Sequence, residues 1–259
     1  MAAQENQARF TGRVDSYRRF RPSYPREILD FLRRDCGLTS ESKVVDVAAG
    51  TGLFSELFLE NGNAVVAIEP NDEMRAVCQE RQAVFPRLTV LNGTAEATGV
   101  ASGSVDFITV AQAMHWFDLK RAREEFARVL RPSGWCVVAY NDRRMGGDPF
   151  HDGFERILVD FGPDYHRVQG AHLGEEQLRV FFAPYPFRRR ILPNAQLLDF
   201  DALVGRIASS SYMPTSGQPR YTEMRQAIEQ LHRENQRDGQ VRLEYNCAVS
   251  YGQLPNSAA

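Results

Sequence analysis

The chain has 259 residues, 43% hydrophobic and 25% charged, with a formal charge of −2. That is ordinary for a globular protein long enough to bury a sizeable core unaided, and the charge gives no basic field to attract nucleic acid. No apolar run approaches the roughly 18 residues of a membrane span, and "MAAQENQARF" lacks the apolar stretch of a secretory leader. The four cysteines, Cys36, Cys78, Cys136 and Cys247, form no C-x-x-C pair. They read as structural thiols of a reduced, cytoplasmic protein.

The polar, arginine-rich start leads into "YRRFRPSYPREILDFLRR". Pro25 suits a first helical turn, and Ile28, Leu29, Phe31 and Leu32 supply an apolar face. "SKVVDVA" reads as a buried strand and "GLFSELFLENG" as a helix stopped by Gly62. "AVVAIEP" is a second strand, and "NDEMRAVCQERQAVF" a helix capped by Asn71 or Asp72. "RLTVLNG" and "SVDFITVAQA" are further strands. "DLKRAREEFARVL" is a helix from about Asp118, "RPSG" a break, and "WCVVAYN" a fifth strand. Strands this apolar, alternating with helices, predict a doubly wound parallel sheet covered on both faces.

Beyond Asn141 the pattern predicts a loop, a helix from about Asp152 and a short helix over 175–183. "FRRRILPNAQLL" reads as a strand, and "DFDALVGRIASSSYMP" as a helix and its exit. "RYTEMRQAIEQLHREN" reads as an amphipathic helix, and "VRLEYNCAVSYGQL" as a late alternating strand. No linker interrupts the chain. The expectation is one domain over 1–259, with a helical cap at 1–40 and a substrate-side insertion at 142–215.

Open α/β sheets bind ligands beyond the carboxyl ends of their strands. Asp46 to Gly52, Glu69, the loop from Asn92 to Glu96, and Ala111 to Trp116 should therefore meet. Gly50 and Gly52 let backbone approach a ligand closely. Glu69, about twenty residues past Gly50 at a strand end, suits two ribose hydroxyls. A dinucleotide asks for G-x-G-x-x-G or A, but Ser55 holds the third position and bulky Leu53 and Phe54 open the helix. S-adenosylmethionine carries no pyrophosphate and asks for a close turn, an acid and an apolar slot. The alternatives are a nicotinamide-dependent oxidoreductase and a cofactor-binding protein without catalysis.

"VVDVAAGTG", "VVAIEPNDEM", "NGTAEATGVASGSVDFITVAQAMHWFD" and "ARVLRPSGWCVVA" stand in order. Together they resemble the motifs of class I S-adenosylmethionine-dependent methyltransferases. With "YRRFRPSYPREILDFL" ahead of them, they resemble most the small-molecule branch that includes trans-aconitate methyltransferase-like proteins. The resemblance implies a Rossmann-like, mostly parallel seven-stranded sheet with its last strand antiparallel, S-adenosyl-L-methionine as cofactor, and a small-molecule acceptor. It places Asp46, Ala48, Gly50 and Gly52 in the cofactor turn, Glu69 on the ribose and Met74 near adenine. Ala95 and Glu96 fall beside the adenine amino group, and Gln112 beside the methionine part. Tyr17 and Arg21 fold over from the N-terminal segment, Arg21 facing a carboxylate of cofactor or substrate. Ala48 stands where the family carries its first glycine, which predicts a negative φ there.

Methyl transfer is a direct displacement that needs mainly positioning. His115 and Trp116, just past the fourth strand, are placed to meet the acceptor. His115 could take a proton from an alcohol or amine, or hold a carboxylate, which an acidic acceptor would present. Asp148, His151, Asp152, Asp164, His166 and His172 lack ligand spacing, so no metal site is expected. "RRR" at 188–190 is too short to suggest nucleic acid against the net charge. No membrane partner is expected, and the oligomeric state is left open.

Overall fold

The computed structural model describes residues 14–166 and 173–255, apart from the side chains of residues 15–17. Its centre is a seven-stranded sheet of order β3-β2-β1-β4-β5-β7-β6. The strands are β1 (Lys43–Val47), β2 (Ala64–Ile68), β3 (Leu88–Leu91), β4 (Val105–Ala111), β5 (Leu130–Arg143), β6 (Phe187–Leu198) and β7 (Val241–Gln253). β1 to β5 pair in parallel, whereas β7 runs antiparallel to both β5 and β6. This is the doubly wound α/β architecture expected, with the last strand reversed. The strand order changes direction between β1 and β4, so a crevice opens beyond their carboxyl ends.

Side chains along each central strand alternate between two cores. Val45 and Val47 of β1 and Val138 of β5 join one cluster, which is closed by Phe126 and Phe181. Val44 and Val137 face the other, with Ile28, Leu32, Phe54 and Phe58. Helices α2 (Glu27–Cys36) and α3 (Leu53–Glu60) cover this second face. Helices α5 (Leu119–Val129) and α7 (Glu175–Phe182) cover the first, and α4 (Asp72–Glu80) follows β2. A third cluster joins α6 (Pro149–Phe161), α8 (Phe200–Ala208) and α9 (Tyr221–Asn235) to the first half of β7. There Val241, Leu243 and Tyr245 are buried, as their alternation requires.

The caps agree with the sequence. Asn71 accepts the Met74 N–H at the start of α4, and Asp118 accepts that of Arg121 at the start of α5. Two boundaries differ. Helix α6 begins at Pro149, because Asp148 caps it by accepting the His151 N–H and proline suits the first turn. "RPSG" does not interrupt the sheet: β5 runs through it with a register shift opposite Val105–Phe107, Ser133 lying at φ 71°. A bulge absorbs the irregularity that reads as a break.

The N-terminal segment is fastened over the carboxyl edge of the sheet. Its described part starts with α1 (Val14–Phe20). Asn141 and Asn194 each donate an Nδ2 hydrogen to the Ser23 carbonyl, and Gln196 donates to that of Phe20. A Cβ on Gly205 would stand 2.2 Å from the Phe20 ring, so α8 meets α1 only because residue 205 is glycine. At the far end of α2, Asp35 accepts from Tyr251 Oη at 2.7 Å and from Arg190 Nη2 at 2.9 Å. These bonds, Tyr251 first, hold its carboxyl down to about 2. Arg190 of the "RRR" run thus ties β6 to α2.

Burial pushes the thiols of Cys36, Cys78 and Cys247 up to about 12, and that of Cys136 up as well. Among the described residues, no helix is long and apolar enough to cross a membrane.

Candidate active site

A cavity of about 450 Å³ lies at the carboxyl ends of β1 and β4. Its wall takes in the N-terminal segment at Arg21 and Tyr24, the turn from Ala48 to Thr51 and the β4 exit at Gln112, His115 and Trp116. The end of β5 at Asn141 to Arg143, Tyr165 after α6, and α8 with its exit at Arg206 and Ser210 to Tyr212 complete it.

The turn after β1 is made of left-handed residues. Ala48 has φ 54°, Gly50 58° and Gly52 82°. The negative φ expected at Ala48 is therefore incorrect. The alanine keeps the conformation its glycine counterpart would adopt, at a cost of roughly 1–2 kcal/mol. The surroundings hold it there: the Ala49 N–H donates to the Ile68 carbonyl at 3.0 Å, and the Gly52 N–H to that of Ala49 at 2.9 Å. The two glycines differ in purpose. A Cβ on Gly50 would have nothing nearer than Met74 Sδ at 4.0 Å, so that glycine leaves a hollow on the cavity wall. A Cβ on Gly52 would meet Cys78 Sγ at 3.0 Å and the Arg81 side chain at 3.1 Å, so its smallness serves packing against α4.

Glu69 ties this turn to the end of β2. Its Oε2 accepts the Gly50 N–H and its Oε1 the Asn71 N–H, both at 2.8 Å. The carboxylate is 6% exposed, and burial pushes its pKa up. Each oxygen retains a second lone pair for a further donor. Asp46 is buried deeper, accepting from Ser55 Oγ at 2.6 Å and Thr109 Oγ1 at 2.8 Å. Burial, against those two bonds, pushes its carboxyl up to about 6. It clamps β1 to α3 and β4.

On the other wall, Gln112 leaves β4 with φ 58°; its N–H donates to the Ala139 carbonyl, and its Nε2 reaches that of Asn141 at 3.3 Å. Met114, fully buried, anchors a short 3₁₀ turn that carries His115 and Trp116 to the cavity. Their ring centroids are 4.4 Å apart, and His115 Nδ1 lies 3.5 Å from Tyr140 Oη. Burial pushes the Tyr140 phenol up, so its hydroxyl stays protonated beside the imidazole.

The structure thus gathers Asp46, Ala48, Gly50, Gln112, His115, Trp116 and Arg21 on one cavity wall. Arg21 Nη2 donates to the Ser209 carbonyl at 3.0 Å. Glu69 and Met74 stand behind the glycine turn. Ala95 is 4% exposed in the core, and Glu96 accepts the Asp118 N–H at 2.9 Å. The Tyr17 side chain lies outside the described residues.

Sequence reasoning missed Arg143, Tyr165 and Arg206, all on the wall. Arg206 carried a signal: it sits among Leu203, Val204 and Ile207 on a face that should be apolar. Arg143 and Tyr165 carried none, because only folding brings them together.

Among the described residues, no three His, Cys, Asp or Glu side chains are grouped to hold a metal. His151 and Asp148 pair at 2.7 Å, with His151 Nε2 accepting the Glu244 N–H. His172 lies outside the described residues.

The methyltransferase domain family matches residues 45–138, the stretch that carries the glycine turn, Glu69 and His115. An uncharacterized methyltransferase of Mycobacterium tuberculosis is 35% identical over 227 residues, covering 86% of this chain and 84% of that protein. An uncharacterized methyltransferase-like protein of Schizosaccharomyces pombe is 31% identical over 144 residues, 55% of each chain. Among solved structures, a methyltransferase-family protein of Anaeromyxobacter dehalogenans superposes with a TM-score of 0.68 at 25% identity, covering 92% of this chain and all of that one. The fold is shared with Haemonchus contortus phosphoethanolamine N-methyltransferase 2 in complex with phosphomonomethylethanolamine and S-adenosylhomocysteine. That match has a TM-score of 0.57 at 16% identity and covers 98% of this chain and 59% of that one. Identity of this extent along nearly the whole chain sets the oxidoreductase reading aside, and the chain belongs to the S-adenosylmethionine-dependent methyltransferases of class I.

Proposed function

We propose that this chain methylates a small molecule with S-adenosyl-L-methionine as donor, and that the acceptor atom is a carboxylate oxygen, as in the trans-aconitate methyltransferase-like branch. The observation that carries the reading is the shared cavity. The glycine turn and the His115–Trp116 turn face one space of about 450 Å³. That is the size of a small-molecule site and too little for a folded partner.

The residues present fit the donor. Gly50 leaves the hollow described above, and Thr51 Oγ1 is buried on the cavity wall with no hydrogen-bond partner among the described residues. When bound, S-adenosylmethionine supplies a sulfonium methyl open to direct displacement. Ala48, Gly50, Thr51 and Gln112 hold its amino-acid part, with Asp46 bracing the turn and Gly52 packing it on α4. Glu69 holds the ribose through its spare lone pairs. Met74, Ala95 and Glu96 serve the adenine, and Tyr17 and Arg21 cover the site from the N-terminal segment. His115 and Trp116 orient the acceptor. A carboxylate has no proton to lose, so His115 acts as a hydrogen-bond donor steered by Tyr140. The whole chain works as one domain, in the cytoplasm, on a free small molecule rather than nucleic acid or membrane.

Purified protein incubated with S-adenosylmethionine and a panel of carboxylic acids, amines and alcohols tests this. Release of S-adenosylhomocysteine with a carboxylic acid, together with a base-labile ester, is expected. Turnover confined to amines or alcohols would contradict the carboxylate assignment. Cofactor binding with no turnover across the panel would favour a non-catalytic binder.

A further inference from the structure

Helix α8 places a charge where its neighbours are apolar. Leu203, Val204 and Ile207 are buried in the third core cluster, and Arg206 beside them is only 7% exposed. A guanidinium is always charged, and one so deeply buried ordinarily has a carboxylate at its side. Among the described residues no Asp or Glu pairs with Arg206. Its Nε donates to Tyr245 Oη at 2.9 Å, and its guanidinium carbon lies 5.8 Å from the Tyr245 ring centroid. Tyr245 Oη in turn donates to Gln196 Oε1 at 2.6 Å. These contacts fix the stem and one edge of the fork. The terminal nitrogens, Nη1 and Nη2, have no acceptor among the described residues, and the side chain lines the main cavity.

A second guanidinium shares that wall. Arg143 Nη2 is held by Glu155 at 2.5 Å and by Tyr165 Oη at 3.0 Å, while its buried Nη1 has no hydrogen-bond partner among the described residues. With Arg21 this makes three guanidinium groups on the wall, of which Arg143 is paired with Glu155; the carboxylates on the wall itself are Asp46 and Asp142. Asp46 is already taken by Ser55 and Thr109. A buried positive charge without a partner is costly unless a ligand supplies the anion.

We infer that Arg206 is the residue that selects the acceptor, gripping an oxyanion on it, carboxylate or phosphate, with its two terminal nitrogens. The geometry of a guanidinium suits either group through two parallel bonds. Arg143, its charge matched by Glu155, offers its Nη1 as a further donor on the same wall. The inference rests on the reading of this cavity as the acceptor site of a methyltransferase. It adds the requirement that the acceptor, whichever atom takes the methyl, carries an anionic group.

Titration calorimetry tests it on the full chain, with and without saturating S-adenosylhomocysteine. The probes are succinate, inorganic phosphate and the neutral succinamide. Succinate or phosphate should bind saturably and succinamide should not, the tighter of the two naming the oxyanion. Arg206→Gln should weaken that binding about ten- to a hundredfold, and Arg206→Lys by less, because an ammonium keeps the charge and loses the fork. Affinity for S-adenosylhomocysteine should be unchanged in both variants. Thermal melting checks that each variant folds; if Arg206→Gln does not, Arg206→Lys carries the comparison. Three results would overturn the proposal: no saturable oxyanion binding by wild type, equal binding of succinamide, or full oxyanion affinity in the variants. Loss of S-adenosylhomocysteine affinity in the variants would overturn it too, by assigning Arg206 to the cofactor's own carboxylate. Oxyanion binding by a wild type that fails to bind S-adenosylhomocysteine would instead count against the methyltransferase reading of the cavity.

Discussion

His115 separates two chemistries that share one cavity. With a carboxylate acceptor, His115→Asn keeps one hydrogen-bond donor. The loss should then fall mainly on KM, with turnover flat in pH above the acceptor's own pKa. With an alcohol or amine acceptor, the same change removes the base and should lower kcat by roughly 10²–10⁴. Steady-state kinetics of the two proteins from pH 5 to 9 decide, and with the proposed carboxylate acceptor the KM effect is expected. Unchanged kcat and KM would make His115 a structural residue. Asp46 gives a second test at this scale. Its carboxyl is raised to about 6 in the native protein, against an ordinary value of 3.8. Between those values the native state holds a proton that the unfolded chain lacks. Stability from this group is therefore full below about pH 4, falls as pH rises to about 6, and is level above. The fall is at most about 1.4 kcal/mol per pH unit. Asp46→Asn cannot ionise, so its melting temperature, compared with wild type from pH 4 to 7, should lack that decline. Parallel curves would contradict the assignment.

Among the elements, the turn after β1 is the most constrained. Ala48 occupies φ 54°, which a β-branched side chain tolerates poorly. Ala48→Val should cost roughly 1–3 kcal/mol, and Ala48→Gly should be close to neutral, since relief of φ offsets the lost methyl. Thermal melts of both variants check this; a harmless valine would mean that the turn relaxes. The strands were legible because burial on two faces demands apolar runs such as Ala64–Ile68 and Val137–Ala139. Helix starts were legible where a capping side chain precedes the helix, as at Asn71 and Asp118. The bulge in "RPSG" was hidden, because Pro and Gly mark breaks and bulges alike. The conformation of Ala48 was hidden because alanine reports nothing of φ when tertiary bonds impose it. On the site, motifs near in sequence were legible. Arg143 and Tyr165 were not, because only folding brings them together, and Arg206 showed only as a charge on the apolar face of α8.

In the molecule as a whole, the sheet brings the two turns to one crevice, and the N-terminal segment, fastened through the Ser23 and Phe20 carbonyls, closes over it. On the proposed function, Gly50 is what opens this crevice to S-adenosylmethionine. Gly50→Val puts a branched side chain into the hollow at φ 58° while leaving both main cores untouched. The most direct measurement is calorimetric titration of S-adenosylhomocysteine into wild type and Gly50→Val, each shown by circular dichroism to be folded. Saturable one-to-one binding by wild type is expected, with at least a hundredfold loss in the variant, a change of about 2.7 kcal/mol or more. Normal binding by a folded Gly50→Val, or no binding by wild type, would contradict it.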